Sequence, residues 1–186
     1  MNLSPLDHSA RSIRTPVWII GGLCAVSILA ASQAPNPAHQ VTLALLFLAF
    51  VALAIIDIES RLLPDAITLP MIALGLLVNA TEPFVPLSSA IAGSIAAYGL
   101  MWLLSASYRK ATGREGLGAG DVKLAAMIAA WVGLGHGLLA IGFAFAFAAC
   151  AAIAFRRRVG GTSAYLPFGP FLATAGGLAA WALVTP

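Results

Sequence analysis

Charged residues are scarce in this chain of 186 residues, because Asp, Glu, Lys and Arg together make up only 9% of it. A soluble domain carries about 25% charged residues, whereas 60% of this chain is hydrophobic. The composition excludes a soluble globular domain and predicts an all-α, polytopic membrane protein built as one helical bundle. The net charge of +3 does not indicate nucleic-acid binding, because every basic residue lies in a predicted loop or at a predicted helix end.

Cysteine and histidine are also scarce and scattered. Cys24 and Cys150 lie far apart in apolar segments, and no CxxC pair occurs, which leaves neither a thiolate metal site nor a disulfide framework. The two cysteines are most simply packing residues. No HExxH motif occurs, and no serine has a convincing His or Lys partner. We therefore predict no metal and no cofactor, which leaves the carboxylates as the candidate catalytic groups.

Long hydrophobic runs dominate the chain, and we identify seven of them as predicted membrane spans, taking about 20 residues as the usual length. They are Val17–Ala31, Val41–Ile56, Ala66–Ala80, Leu87–Ser105, Val122–Leu134, Gly137–Phe155 and Ala164–Val184. The fifth is the shortest, and only Gly133–Gly137 separates it from the sixth. The first resembles a secretory signal followed by Ser32-Gln33-Ala34, but Pro35 disfavours cleavage, so we predict an uncleaved anchor.

Positive charges segregate cleanly in this layout. With seven spans, all the basic residues fall on one side of the membrane. They are Arg11, Arg14, Arg61, Arg109, Lys110, Arg114, Lys123, Arg156, Arg157 and Arg158. The positive-inside rule makes that side cytoplasmic, which predicts a cytoplasmic N-terminus and an external C-terminus. Asp57, Asp65 and Asp121 are then expected at the cytoplasmic face.

Two of these aspartates lie where apolar segments end or begin. Asp57 ends the second segment, and Asp121 follows Gly118-Ala119-Gly120 directly before the fifth. Carboxylates at the ends of membrane helices are costly and are rarely kept without a use. Taken alone, Asp121 is more simply a helix N-cap. Asp57 alone would be an interfacial carboxylate paired with Arg61, although Asp is unfavourable at a helix C-terminus.

As a pair on one side of the membrane, the two aspartates fit peptide hydrolysis. One carboxylate can act as general base on a water while the other, protonated, donates a hydrogen bond to the scissile carbonyl. Gly118 and Gly120 allow unusual φ values and close approach of an extended substrate, although small residues also aid helix packing in membranes. They lie in the longest polar connection, Ser105–Gly120.

Pro64 and Asp65 precede the third apolar segment. We interpret Asp65 as the N-cap of that helix, with Pro64 fixing the turn before it. A metal site built from Asp57, Asp65 and Asp121 would have no nitrogen or sulfur ligand nearby.

Three stretches resemble motifs of the type IV prepilin peptidase family, within the GxGD class of intramembrane aspartyl proteases. They are DIESRLLPDAITLP from Asp57 to Pro70, REGLGAGDVKL from Arg114 to Leu124 and PFGPFL from Pro167 to Leu172. The resemblance implies that Asp57 and Asp121 are the catalytic pair and that the position of Asp65 is not catalytic. It also implies cleavage of the short basic leader of prepilins and pseudopilins, at the cytoplasmic face of the bacterial inner membrane.

The chain departs from the bifunctional members of this family, which begin with a cytoplasmic domain that holds paired CxxC motifs and N-methylates the new N-terminus. No CxxC precedes the first predicted span here, which puts methyltransferase activity in doubt and predicts a peptidase-only form without zinc. We expect residues 1–40 to form the tail, first anchor and outer loop. Residues 41–172 would form the catalytic membrane domain, and 173–186 the rest of the last helix and the C-terminus.

Two other functions fit parts of the sequence. A small proton-coupled transporter would also use intramembrane aspartates and mobile glycines, but these carboxylates cluster at one face and no inverted repeat is visible. A non-catalytic pilus-assembly protein is the third possibility. The expected partners are prepilin leader peptides and membrane lipid, with no nucleic acid, and the oligomeric state is left open.

Overall fold

A computed structural model describes residues 25–26, 29–34, 36–81, 83–114, 116–159 and 167–185. Five helices occur within these ranges: α1 (Pro37–Ser60), α2 (Asp65–Thr81), α3 (Leu87–Thr112), α4 (Ala119–Val159) and α5 (Gly169–Ala182). Short helical pieces at 25–26 and 29–31 precede α1, and no strand occurs in the described part of the chain. The all-α prediction is therefore confirmed. Most of the first predicted span, Val17–Ala31, lies outside the described residues.

Within the described residues, three helical stretches are long and apolar enough to cross a membrane: Pro37–Ser60, Leu87–Thr112 and Ala119–Ala154. Asp65–Thr81 is apolar but shorter. These stretches support a membrane helical bundle, as the composition predicts. The count of seven spans and the cytoplasmic N-terminus stay predictions.

Helix α1 is longer at both ends than its apolar core. Asn36 caps the N-terminus by accepting the N–H of Ala38 at 2.9 Å, and Pro37 occupies the first turn, where its missing N–H costs nothing. Arg61 ends the helix in the left-handed conformation at φ 56°, and its N–H donates to the carbonyl of Asp57. The sequence suggested that Asp57 ends this segment. In the structure Asp57 lies inside the last turn of α1, which continues to Ser60.

The connection between α3 and α4 is shorter than expected. Helix α3 continues past Ser105 to Thr112. Gly113 caps its C-terminus in the left-handed conformation at φ 68°, and the Gly113 N–H donates to the carbonyl of Arg109. The polar residues there extend the helix because nothing in them breaks it before this glycine. The predicted loop Ser105–Gly120 is thus helical over its first half.

Helix α4 is broken at one residue, Gly133, with φ 77° and ψ −177°. In a continuous helix the N–H of Leu134 would donate to the carbonyl of Ala130. Here Leu134 donates to Ser89 Oγ at 3.1 Å, and the Ala130 carbonyl accepts from Asn79 Nδ2 at 2.9 Å. Side chains from α2 and α3 therefore replace the missing helical bond. The predicted break at Gly133–Gly137 is confirmed, but it is confined to its first residue.

The first half of α4 forms the centre of the bundle. Its side chains from Leu124 to Val132 are all buried. Trp131 Nε1 donates to the carbonyl of Met71 at 2.8 Å, and a Cβ on Gly75 would fall 2.6 Å from the Trp131 ring. Close packing and interhelical hydrogen bonds of this kind hold membrane helices together. Asp121 lies at the start of this central helix, which fixes its position relative to the other helices.

Candidate active site

Asp57 is held at the meeting point of two helix ends. Its side chain, in the last turn of α1, is only 6% exposed. Its Oδ2 accepts the backbone N–H of Gly169 at 3.0 Å. Gly169 is the first residue of α5, so this N–H has no partner within its own helix and is available to a carboxylate. A Cβ on Gly169 would fall 2.7 Å from Asp57 Oδ2, so this close contact requires glycine.

Asp121 is the third residue of α4 and is 8% exposed. Its Oδ2 accepts the N–H of Gly118 at 3.3 Å, while its own N–H donates to the Gly118 carbonyl at 3.1 Å. Asp121 and Gly118 therefore bond to each other in both directions, with Gly118 in the N-cap position and Asp121 three residues later, where a capping-box side chain bonds back to the N-cap N–H. The prediction of Asp121 as N-cap is therefore wrong, because Gly118 occupies that position. Asp121 Oδ1 is buried and has no hydrogen-bond partner among the described residues.

The fold brings the two carboxylates together. The charge of Asp57 acts on Asp121, although α2 and α3 separate them along the chain. The Arg61 guanidinium acts electrostatically on Asp57 as well. Two buried carboxylates whose charges interact are costly in a membrane protein, and they indicate a candidate functional site.

Pro64 and Asp65 lie beside this pair without joining it. The carbonyl of Pro64 accepts the N–H groups of Ile67 and Thr68 at 3.1 and 3.2 Å, which makes Pro64 the capping residue of α2. The prediction of Asp65 as N-cap is thus wrong by one position. Its carboxylate is about half exposed and receives Lys123 Nζ at 2.6 Å on both oxygens. No pattern in the sequence indicates this ion pair.

Gly118 and Gly120 allow close approach, but not through unusual backbone angles. Among the described glycines only Gly113 and Gly133 have positive φ, so that part of the prediction is wrong. A Cβ on Gly120 would fall 2.7 Å from the Cβ of Leu63, and one on Gly118 would fall 3.3 Å from Asp121 Oδ2. The missing side chain of Gly120 lets the loop after α1 pack on the start of α4, and that of Gly118 leaves room for the Asp121 carboxylate.

The profile of the type IV leader peptidase family matches residues 43–155. The chain belongs to this family. The matched segment contains both Asp57 and Asp121 and ends before Gly169. Together with the long apolar helices in the described part of the chain, membership in the leader peptidase family indicates an inner-membrane protein.

Curated relatives carry the name prepilin leader peptidase/N-methyltransferase. The protein from Neisseria gonorrhoeae is 40% identical over 126 residues, covering 68% of this chain and 43% of the relative. That from Aeromonas hydrophila is 42% identical over 143 residues, covering 74% and 49%. That from Pseudomonas putida is 37% identical over 172 residues, covering 90% and 58%. The chain spans about half the length of these relatives. No solved structure matches it significantly.

Gly169 is the site residue that sequence reasoning missed. It lies in PFGPFL, which carries part of the family resemblance, yet the motif by itself names no partner for the glycine. The sequence signal that could have pointed to it is Gly169 directly before Pro170, since a proline in the first turn is typical of a helix start. In the described part of the chain, no three His, Cys, Asp or Glu side chains are grouped to hold a metal ion, so the described residues supply no candidate ligand set.

Proposed function

We propose that this protein is an aspartic endopeptidase of the inner membrane that removes the short basic leader of type IV prepilins and pseudopilins at the cytoplasmic face. One observation carries the proposal: two buried aspartates, from α1 and α4, lie close enough for their charges to interact. Residues 41–172 would form the catalytic domain, since they include both aspartates and Gly169. The proposal concerns the peptidase activity alone.

The hydrogen bonds around each aspartate suit this chemistry. Gly169 and Gly118 each donate one N–H to a single carboxylate oxygen, so each side chain is oriented while its second oxygen remains available to a reactant. Asp121 Oδ1 is buried without a partner among the described residues. A nucleophilic water or a substrate carbonyl would satisfy it.

The reaction follows from a pair that shares one proton. The ionised aspartate takes a proton from a water, whose oxygen attacks the scissile carbonyl carbon. The protonated aspartate transfers its proton to the carbonyl oxygen, which becomes a hydroxyl of a tetrahedral diol. The aspartate that took the proton from water then gives it to the leaving nitrogen and the C–N bond breaks, while the other aspartate accepts a proton from one diol hydroxyl as the carboxylic acid forms. The pair returns to its starting state with one proton.

Leader removal from a synthetic prepilin by the purified protein in detergent tests the proposal. We expect the wild type to cleave once, and Asp57→Asn and Asp121→Asn each to lose about a thousandfold or more in kcat/KM, since members of one catalytic unit act together. Asn keeps the oxygen that accepts the Gly169 or Gly118 N–H, so the fold should persist. Asp65→Asn, half exposed and outside the pair, is the matched control and should stay within about tenfold.

Substantial residual cleavage by either active-site variant would contradict the two-aspartate mechanism. A wild-type protein that folds but cleaves no prepilin would instead favour the transporter or the non-catalytic assembly protein.

A further inference from the structure

A cavity of about 200 Å³ lies between the last turns of α3 and the start of α4. Its lining includes two charged residues, Arg109 and Lys123, which define its charged end, and two aromatic residues, Trp102 and Tyr98. Ser105 Oγ donates to the carbonyl of Leu117 at 3.2 Å and so ties α3 to the loop before α4. Neither Asp57 nor Asp121 is among the lining residues, so the cavity is separate from the aspartate pair.

The charged end of this cavity carries one net positive charge. The Lys123 ammonium is paired with Asp65, and Arg109 forms no ion pair with any residue that the structure describes. Ala119, the first residue of α4, also lines the cavity, which places the positive end of that helix dipole beside it. A single negative charge with several acceptor oxygens would complement this arrangement, as a phosphodiester does.

The aromatic part of the cavity follows the helix toward the apolar interior. Trp102 and Tyr98 precede Arg109 by about two and three helical turns. Their side chains are 56% and 46% exposed, respectively. Tyr and Trp favour the interface between headgroups and acyl chains. The cavity is thus polar and cationic at one end and aromatic along α3, which matches the order of chemical groups in a phospholipid.

We propose that this cavity is a binding site for one anionic phospholipid. The phosphodiester contacts Arg109 and Lys123, and the upper acyl chains lie against Trp102 and Tyr98. A zwitterionic lipid fits the charge less well, because its own cation offsets the phosphate. The site lies beside Asp121 in sequence but does not depend on the proposed peptidase activity.

Native mass spectrometry of the full chain in detergent, with added phosphatidylglycerol or phosphatidylcholine, tests this site. We expect one phosphatidylglycerol to be retained in preference to phosphatidylcholine. Arg109→Gln should lower the retained fraction about fivefold, the value of one basic residue near an anionic surface. Lys110→Gln is the matched control, since Lys110 is the exposed neighbour on α3 and does not line the cavity. Its retention should stay within about twofold.

Two further measurements separate a built site from general lipid contact. Brominated phosphatidylglycerol should quench a tryptophan signal that Trp102→Phe removes, whereas millimolar inorganic phosphate should not displace the lipid. Equal retention of both lipids, or equal losses in Arg109→Gln and Lys110→Gln, would overturn the proposal. Displacement by inorganic phosphate would also overturn it, because the cavity would then recognise free phosphate and not a lipid.

Discussion

Asp57 and Asp121 are oriented by the same device, a backbone N–H from a glycine at the start of a helix. Gly169 serves Asp57 and Gly118 serves Asp121. Backbone donors suit this role because their positions follow from the fold and involve no rotamer freedom. The chemistry of the two carboxylates can be proposed from the sequence, and Gly118 lies only three residues from Asp121. The Gly169 amide that orients Asp57, in contrast, lies 112 residues away in the chain.

Gly169→Ala should abolish most activity while leaving the protein folded. The added Cβ would fall 2.7 Å from Asp57 Oδ2, so the carboxylate must move or lose its hydrogen bond, and displacement by about 1 Å can cost about a hundredfold in rate. We expect a loss of this size in kcat/KM for prepilin cleavage. Gly177→Ala on the same helix is the control, because its Cβ would meet Phe47 at an ordinary 3.5 Å.

Near wild-type cleavage by Gly169→Ala would show that the Gly169 amide does not position Asp57. Should Gly169→Ala fail to accumulate in membranes, the accumulation and the cleavage activity of Gly169→Ser would be measured in its place, because the serine hydroxyl can donate a hydrogen bond to the displaced carboxylate.

At the scale of elements, the break in α4 is stabilised by its neighbours. Buried Asn79 donates to the carbonyls of Ala130 and Trp131 and accepts the N–H groups of Phe84 and Val85. One side chain therefore satisfies both the broken helix and the loop after α2. Apolar runs and a glycine cluster predict where α4 is interrupted, but not which polar residue compensates.

Asn79→Leu should destabilise the protein, because the substitution leaves buried backbone groups without partners. We expect a loss of about 1–3 kcal/mol in the free energy of unfolding. Thermal unfolding in detergent, followed by circular dichroism, measures it. Thr81→Val is the control, since Thr81 is exposed and its hydroxyl bonds only within α2. Equal melting temperatures for wild type and Asn79→Leu would contradict this role.

At the scale of the whole molecule, the segregation of basic residues predicts which face holds the aspartates. Arg109 and Lys110 lie in the last turn of α3, at the end of the bundle where α4 begins and where Asp121 lies in its first turn. Arg61 follows directly after α1, close to Asp57. Basic residues therefore accompany both aspartates, as expected for a cytoplasmic site.

A fusion of alkaline phosphatase to the C-terminus should be active, because seven spans from a cytoplasmic N-terminus place the C-terminus outside, where the reporter's disulfides form. The same reporter inserted after Gly113, in the basic connection between α3 and α4, should be inactive. A fluorescent protein at the two positions should give the opposite pattern. An active phosphatase after Gly113 would place Asp121 on the outer side and contradict the proposed cytoplasmic cleavage.

The sequence by itself determined the membrane class and the break near Gly133, each from residues within one short window. It also indicated Asp57 and Asp121 as the candidate pair, because the basic residues along the whole chain predict that both lie on one side of the membrane. Only the tertiary structure decided which helix ends meet. The Gly169 amide on Asp57, the Lys123–Asp65 ion pair and the bonds of Asn79 join segments whose contacts depend on packing across the bundle. Local patterns do not encode that packing, because it arises from side chains that are distant in the chain.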